Sequence, residues 1–202
     1  VAMPDGKVLQ HFKQRSHSWI RNAYNLMFIQ LAGVNASDNT YAAGKLSAKD
    51  TGGTVRFNVA SPMLMDSDMR SVGNGFIAAA GNTATGIVVG SNVGAESFED
   101  FALLTLIATG NGAGQLAYAL SDACVVSYVA GTKTLTNTLV RYMNNNSGGD
   151  VTVREVALYA YMGMPLIGHG PAATSRDHVA DVVIPATGQL KVTYTISLVY
   201  PA

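Results

Sequence analysis

Val151-Thr152-Val153-Arg154-Glu155-Val156-Ala157-Leu158-Tyr159-Ala160 decides the fold. Val151, Val153, Glu155, Ala157 and Tyr159 fall on one side of an extended chain. Thr152, Arg154, Val156, Leu158 and Ala160 fall on the other. Successive side chains of a strand point to opposite faces, so alternation of this length predicts an antiparallel strand with one buried face. The pattern returns near the end, with Leu190, Val192, Tyr194, Ile196 and Leu198 against Lys191, Thr193, Thr195 and Ser197. Between residues 133–143 and 151–162 lies Asn144-Asn145-Asn146-Ser147-Gly148-Gly149-Asp150. Asn, Ser and Gly favour turns, and here they predict a hairpin loop. Strands spaced at roughly 8–15 residues with turn clusters between them predict a mainly β chain. The expected architecture is an antiparallel β-sandwich or jelly-roll-like domain over residues 34–202, behind an N-terminal arm and helix over residues 1–33.

The first 33 residues read differently. Lys7, Lys13, Arg15 and Arg21, with His11 and His17 between them, form a basic arm, and no acid occurs between Gly6 and Asn35. These four cations are candidates for facing an anionic partner. From Trp19 the apolar positions take helical spacing: Trp19, Ala23, Met27 and Leu31, flanked by Ile20, Tyr24 and Phe28. Arg21, Asn22 and Asn25 share the opposite arc, which predicts an amphipathic helix with a wide apolar face. Ser18 is its expected N-cap and Gly33 its expected stop. Trp19, Ile20, Tyr24, Met27, Phe28 and Leu31 are the candidate interface residues, whether the helix packs on its own domain or docks on a neighbour.

Residues 34–114 are rich in glycine, with short apolar pieces at 55–60, 76–80 and 87–89 expected as strands joined by turns. Ser97-Phe98-Glu99-Asp100 is expected to open a helical turn capped by Ser97, with acids suited to its N-terminus.

Composition narrows the function. The chain has 202 residues and no net charge, and 48% of the residues are hydrophobic. Disorder and electrostatic binding of nucleic acid are both disfavoured. Only 13% of residues are charged, against roughly 25% in an ordinary domain. A surface so poor in charge is weakly protected against association, which points to permanent contacts with other subunits. No apolar run is long enough to cross a bilayer, so no membrane partner is expected. No apolar segment follows Val1-Ala2-Met3-Pro4-Asp5, so no secretory leader is expected and synthesis in a cytoplasm is the default. The single cysteine, Cys124, sits in an apolar run and is expected to be a small buried hydrophobe.

Catalytic patterns are missing. Gly110-Asn111-Gly112-Ala113-Gly114 lacks dinucleotide spacing and runs into Gln115-Leu116-Ala117-Tyr118, which reads as strand, so it is expected to be a turn. Gly44-Lys45 has neither the preceding glycine nor the hydroxyl of a phosphate loop. Asp66-Ser67-Asp68 lacks the rest of a calcium loop. His11, His17, His169 and His178 have no metal-ligand spacing. Asp177, His178 and Asp181 are the weak candidates for an acid–base site, with Arg176-Asp177-His178 expected as a polar turn or salt-bridge cluster. No catalytic residue, metal or cofactor is expected.

One resemblance extends over most of residues 18–197. It is carried by Ser18-Trp19-Ile20-Arg21-Asn22-Ala23-Tyr24-Asn25, Gly86-Ile87-Val88-Val89-Gly90 and Phe98-Glu99-Asp100-Phe101-Ala102-Leu103. Asn144 to Gly149, Val151 to Tyr159 and Gly188 to Ile196 continue it. In this order of segments the chain resembles a widespread, mostly uncharacterised family of tailed-bacteriophage virion proteins. The resemblance implies a non-enzymatic structural component of the virion, made in the host cytoplasm: a capsid decoration or cement protein, or a neck or tail component. Its implied partners are further copies of itself and other virion proteins, with no specific nucleic acid. The alternative is a carbohydrate-binding, receptor-binding jelly-roll module of a phage tail or fibre.

Overall fold

The structure is a computed structural model that describes residues 1–16, 19–32, 39–42, 44–57, 75–164 and 168–201. Ser18, Gly33, His17, residues 58–60 and Asp66-Ser67-Asp68 lie outside them.

Two antiparallel sheets form the body. In one, β3 (Gly86–Gly90), β7 (Val151–Met164) and β8 (Gly168–Ile184) lie side by side in that order. In the other, β6 (Thr134–Asn144) is central. β9 (Gln189–Val199) runs along one of its edges, and β4 (Ala117–Tyr118) and β5 (Val125–Val129) share the opposite edge. A small hairpin, β1 (Ala48–Lys49) with β2 (Val55–Arg56), and one helix, α1 (Arg21–Ala32), complete the elements used below. Ile87, Val153, Tyr159, Val182 and Ile184 of the first sheet share one core with Leu139, Met143 and Leu190 of the second. The fold is therefore mainly β and sandwich-like, with one short N-terminal helix and no closed barrel among the described residues.

The alternation read from the sequence sets the faces. Val151, Val153, Glu155 and Ala157 are buried while Thr152, Arg154 and Val156 are half-buried, and Leu190 is buried between exposed Gln189 and Lys191. Past a register shift between Leu158 and Tyr159 both faces of β7 are covered, so alternation stops there.

Several expectations are corrected. Asn144–Asp150 does not close a hairpin, because β6 and β7 belong to different sheets. It carries the chain across the sandwich. The Asn145 side chain donates to the carbonyls of Gly149 and Ile184, both at 2.7 Å, and its backbone exchanges hydrogen bonds with residues 187 and 188. Turn chemistry says that a chain reverses, not which strand it rejoins. Arg176-Asp177-His178 is not a turn; it lies inside β8 with Arg176 and Asp177 buried. Residues 76–80 form no strand: Phe76, Ile77 and Ala78 are buried in an irregular segment, tied by Ala78 N–H to Ser121 Oγ. The turn at Gly112 forms as read, with Gly112 N–H donating to Gln115 Oε1; Ser97 accepts from Glu99 N–H as expected, but the turn is isolated and opens no helix. Cys124 is only half-buried, at the margin of the core.

Irregular segments are held by buried charge. The guanidinium of Arg141, on β6, is fully buried and donates to five carbonyls, those of Ala79, Asn82, Thr85, Ile87 and Ala119, at 2.6–3.3 Å. It also lies 4.9 Å from the Tyr118 ring centroid. Desolvation pushes its pKa down to about 10, which leaves it charged at neutral pH. Arg141→Met keeps the stem but orphans the carbonyls, each costing roughly 1–3 kcal/mol when left buried and unpaired. A loss of at least about 3 kcal/mol in chemical denaturation is expected, larger than for a surface Arg154→Met control.

Candidate functional site

Helix α1 presents two stripes of identical spacing. Asn22, Asn25, Leu26 and Ile29 form one; Tyr24, Met27, Phe28 and Leu31 form the other. Residues three and four apart share a helix face, so periodicity permits either stripe to face the body. The structure buries the first. Asn22 is fully buried: its Nδ2 donates to the carbonyls of Lys49 and Ala173, at 2.8 and 3.0 Å, and its Oδ1 accepts from Lys49 N–H at 2.8 Å. Asn25 Nδ2 donates to the carbonyls of Lys45 and Ser47. Leu26 and Ile29 pack with Ala48 and Ala172. The carboxamides supply what the backbone of residues 45–49 and β8 lacks, and an apolar stripe offers no such donors. The polar residues Asn22 and Asn25 therefore face inward, and the apolar arc is divided: Ile20 and Ala23 are buried, while Met27 and Leu31 stand outside with Tyr24 and Phe28.

Tyr24 is 51% exposed, Phe28 54% and Leu31 85%, and Met27 is also exposed. Phe98 extends the patch, with its ring centroid 5.8 Å from that of Tyr24. Phe98 was missed among the candidates because its turn is read only for its caps. Arg21 fixes this corner: its backbone N–H donates to Phe98 O, its side chain pairs with Glu99, and its guanidinium lies 4.8 Å from the Phe98 ring centroid. The Arg21 contact holds the Glu99 carboxyl below the usual range.

Each sequence candidate has a defined place. Ile20 is fully buried in the main core and donates its backbone N–H to Thr174 O, so it leaves the set of candidate interface residues. Trp19 is half-buried, bridging to Ser175 on β8, and the helix begins two residues later than its first apolar position. Arg21 is buried and paired with Glu99, so it is not free to face an anionic partner. Lys7, Lys13 and Arg15 are exposed. Their arm lies on the body: Gln10 and Gln14 donate to the carbonyls of Asp181 and His178, and Ser16 Oγ donates to Asp177 Oδ2.

The weak acid–base candidates have separate partners. Asp177 Oδ2 also accepts from the Tyr194 hydroxyl, whose pKa is pushed up by burial and by that carboxylate. Asp181 pairs with Arg154 at 2.9 Å on the surface. His178 uses its backbone N–H on Glu96 Oε1. The side chain of His169 lies outside the described ones. Among the described residues, no group of three or more His, Cys, Asp or Glu side chains is placed to hold a metal ion. Two open clefts, about 290 and 220 Å³, flank Thr51 and Pro171. Tyr159 is the one titratable side chain lining the first, held neutral by burial; Asp50 and Arg56 line the second and pair with each other at 2.7 Å. No described helix is long and apolar enough to cross a membrane.

Comparison of the chain with protein-family models, with curated proteins and with solved structures found no match. The exposed stripe of α1 with Phe98 is the candidate site.

The two stripes make opposite demands under substitution. Asn22→Ala leaves two carbonyls and one N–H without their partner and is expected to cost about 2–4 kcal/mol. Phe28→Ser, on the outer stripe, is expected to change stability by less than about 0.5 kcal/mol. Thermal and denaturant unfolding of the two variants check this ordering, which a conventional amphipathic packing of the helix reverses.

Proposed function

We propose that this chain is a structural protein of a tailed-bacteriophage virion that works by forming stable subunit contacts, as a capsid decoration or cement protein or a neck or tail component. The observation that carries the reading is the outer stripe of α1. Tyr24, Met27, Phe28 and Leu31 stand in solvent on a helix whose other stripe is anchored by Asn22 and Asn25. A contiguous exposed apolar patch rimmed by polar residues marks an interaction surface. Because the helix is seated on the body, this surface is rigid and loses little conformational freedom on docking. The low charge of the chain and its resemblance in segment order to virion proteins support the same reading. A protein that binds only the assembled state stabilises that state by mass action, without chemistry.

Incorporation tests it. Tyr24→Ser with Phe28→Ser is expected to fold normally and to lose binding to particles that lack this protein, by at least about hundredfold at 2.8 kcal/mol lost. Wild-type binding by the folded double variant contradicts the assignment of this face.

A further inference from the structure

Two asparagines of this chain precede a glycine, Asn74 and Asn111. A glycine carries no Cβ, so its backbone nitrogen can approach the side chain of the residue before it. In Asn111-Gly112 both residues are exposed, in the turn that Gly110 N–H closes on Leu116 O. Asn111 Oδ1 accepts from Asn146 Nδ2 at 3.1 Å, and among the described residues its Nδ2 has no hydrogen-bond partner. The Nδ2 groups of Asn22, Asn25, Asn92 and Asn145 are each held by the body. The backbone N–H of Gly112 belongs to no helix or sheet and donates to the Gln115 side chain, Oε1, at 2.9 Å. Gly75, which follows Asn74, is buried instead.

We infer that Asn111 is a site of spontaneous covalent modification, at which the Gly112 nitrogen displaces the side-chain amide while the Asn146 amide donates to its carbonyl oxygen. Water is the one co-reactant. The Gly112 nitrogen gives its proton to solvent and forms a bond to Asn111 Cγ. Negative charge then grows on Oδ1, where Asn146 Nδ2 already donates, and a donor aimed at developing charge lowers the barrier. The Cγ–Nδ2 bond breaks, and Nδ2 takes a proton from solvent and leaves as ammonia; no protein partner holds it back. The product is a five-membered imide joining Asn111 Cγ and its backbone carbonyl through the Gly112 nitrogen. Water opens the imide at either carbonyl. One opening leaves aspartate at position 111 with an ordinary peptide bond; the other leaves isoaspartate, with the chain routed through the side-chain carbonyl. Both replace an amide by an acid, so a chain of zero net charge gains one negative charge. The isoaspartate form also lengthens the backbone in the turn that leads into fully buried Leu116. Asn111 is separate from the outer stripe of α1, so the inference goes beyond the proposed docking and does not rest on it.

Isoelectric focusing and peptide mass mapping of the full chain, aged in mildly alkaline buffer, test it. The wild type is expected to accumulate a more acidic form. Residue 111 is expected to carry the mass gain of an amide-to-acid exchange, part of it as isoaspartate, sooner than any other asparagine. Gly112→Ala crowds the attacking nitrogen and is expected to slow the change at least about tenfold. Gly112 does not take a left-handed φ, so alanine fits its backbone, with the new Cβ 2.9 Å from the movable Gln115 Oε1. Asn146→Ala removes the donor on Oδ1 and is expected to slow the change about twofold or more. Both variants are expected to melt as the wild type does, since positions 112 and 146 are exposed. A wild type that stays unmodified at position 111, or that changes first at Asn74 or Asn146, overturns the inference. So does a rate that neither Gly112→Ala nor Asn146→Ala lowers.

Discussion

Glu155 and Arg176 face each other across β7 and β8, fully buried, with Nε to Oε2 at 2.8 Å. Two charges out of water cost several kcal/mol each unless hydrogen bonds satisfy what the pair leaves over. Here they do, and the satisfying groups come from elsewhere in the chain. Glu155 accepts the backbone N–H groups of Asn92, Leu104 and Thr105. Arg176 donates to the carbonyls of Gly94 and Ala95 and to the Asp100 carboxylate. The pair thereby organises residues 92–105, which have almost no sheet pairing of their own. Gly90 is required beside it: a Cβ there meets Glu155 Oε1 at 2.7 Å. Arg141 does the equivalent for residues 79–87 and 119 from the other sheet. The loops of this fold are fastened by side chains reaching out of the strands.

That use of charge bears on the surface. The chain has 13 Lys and Arg and 13 Asp and Glu in 202 residues. Arg21, Arg141, Arg176, Asp50, Glu155 and Asp177 are buried, which leaves few charges to cover the outside. The outer stripe of α1 is an apolar surface on such a molecule, a helix face seated by asparagines.

The strands were readable because burial of one face writes itself as period two; β7 and β9 stood out on those grounds. The direction of the chain after Asn144–Asp150 was not, since turn residues specify a reversal and the partner strand is chosen by packing far away in sequence. The helix was found, but not that Asn22 and Asn25 face the body while Tyr24, Met27, Phe28 and Leu31 face outward. Hydrophobicity ranks Asn22 and Asn25 as outward residues, and the backbone groups of Lys45, Ser47, Lys49 and Ala173 that their carboxamides bind make them inward ones. Arg176 looked like part of a polar turn for the same reason: its partners, Glu155 and Asp100, lie 21 and 76 residues away. Phe98 was invisible because its place beside Arg21 and Tyr24 is set by a contact between segments far apart in sequence.

The central claim is that buried charge holds residues 92–105 as firmly as a sheet holds its strands. Native-state hydrogen exchange of the amides of Asn92, Leu104 and Thr105 measures it directly. Amides bound by a buried carboxylate open only when the clamp opens. They are predicted to exchange with the protection of the β7 core amides in the wild type, and to lose it selectively in Glu155→Gln while β6 and β9 stay protected. Exchange of these three amides at free-loop rates in the wild type contradicts the account.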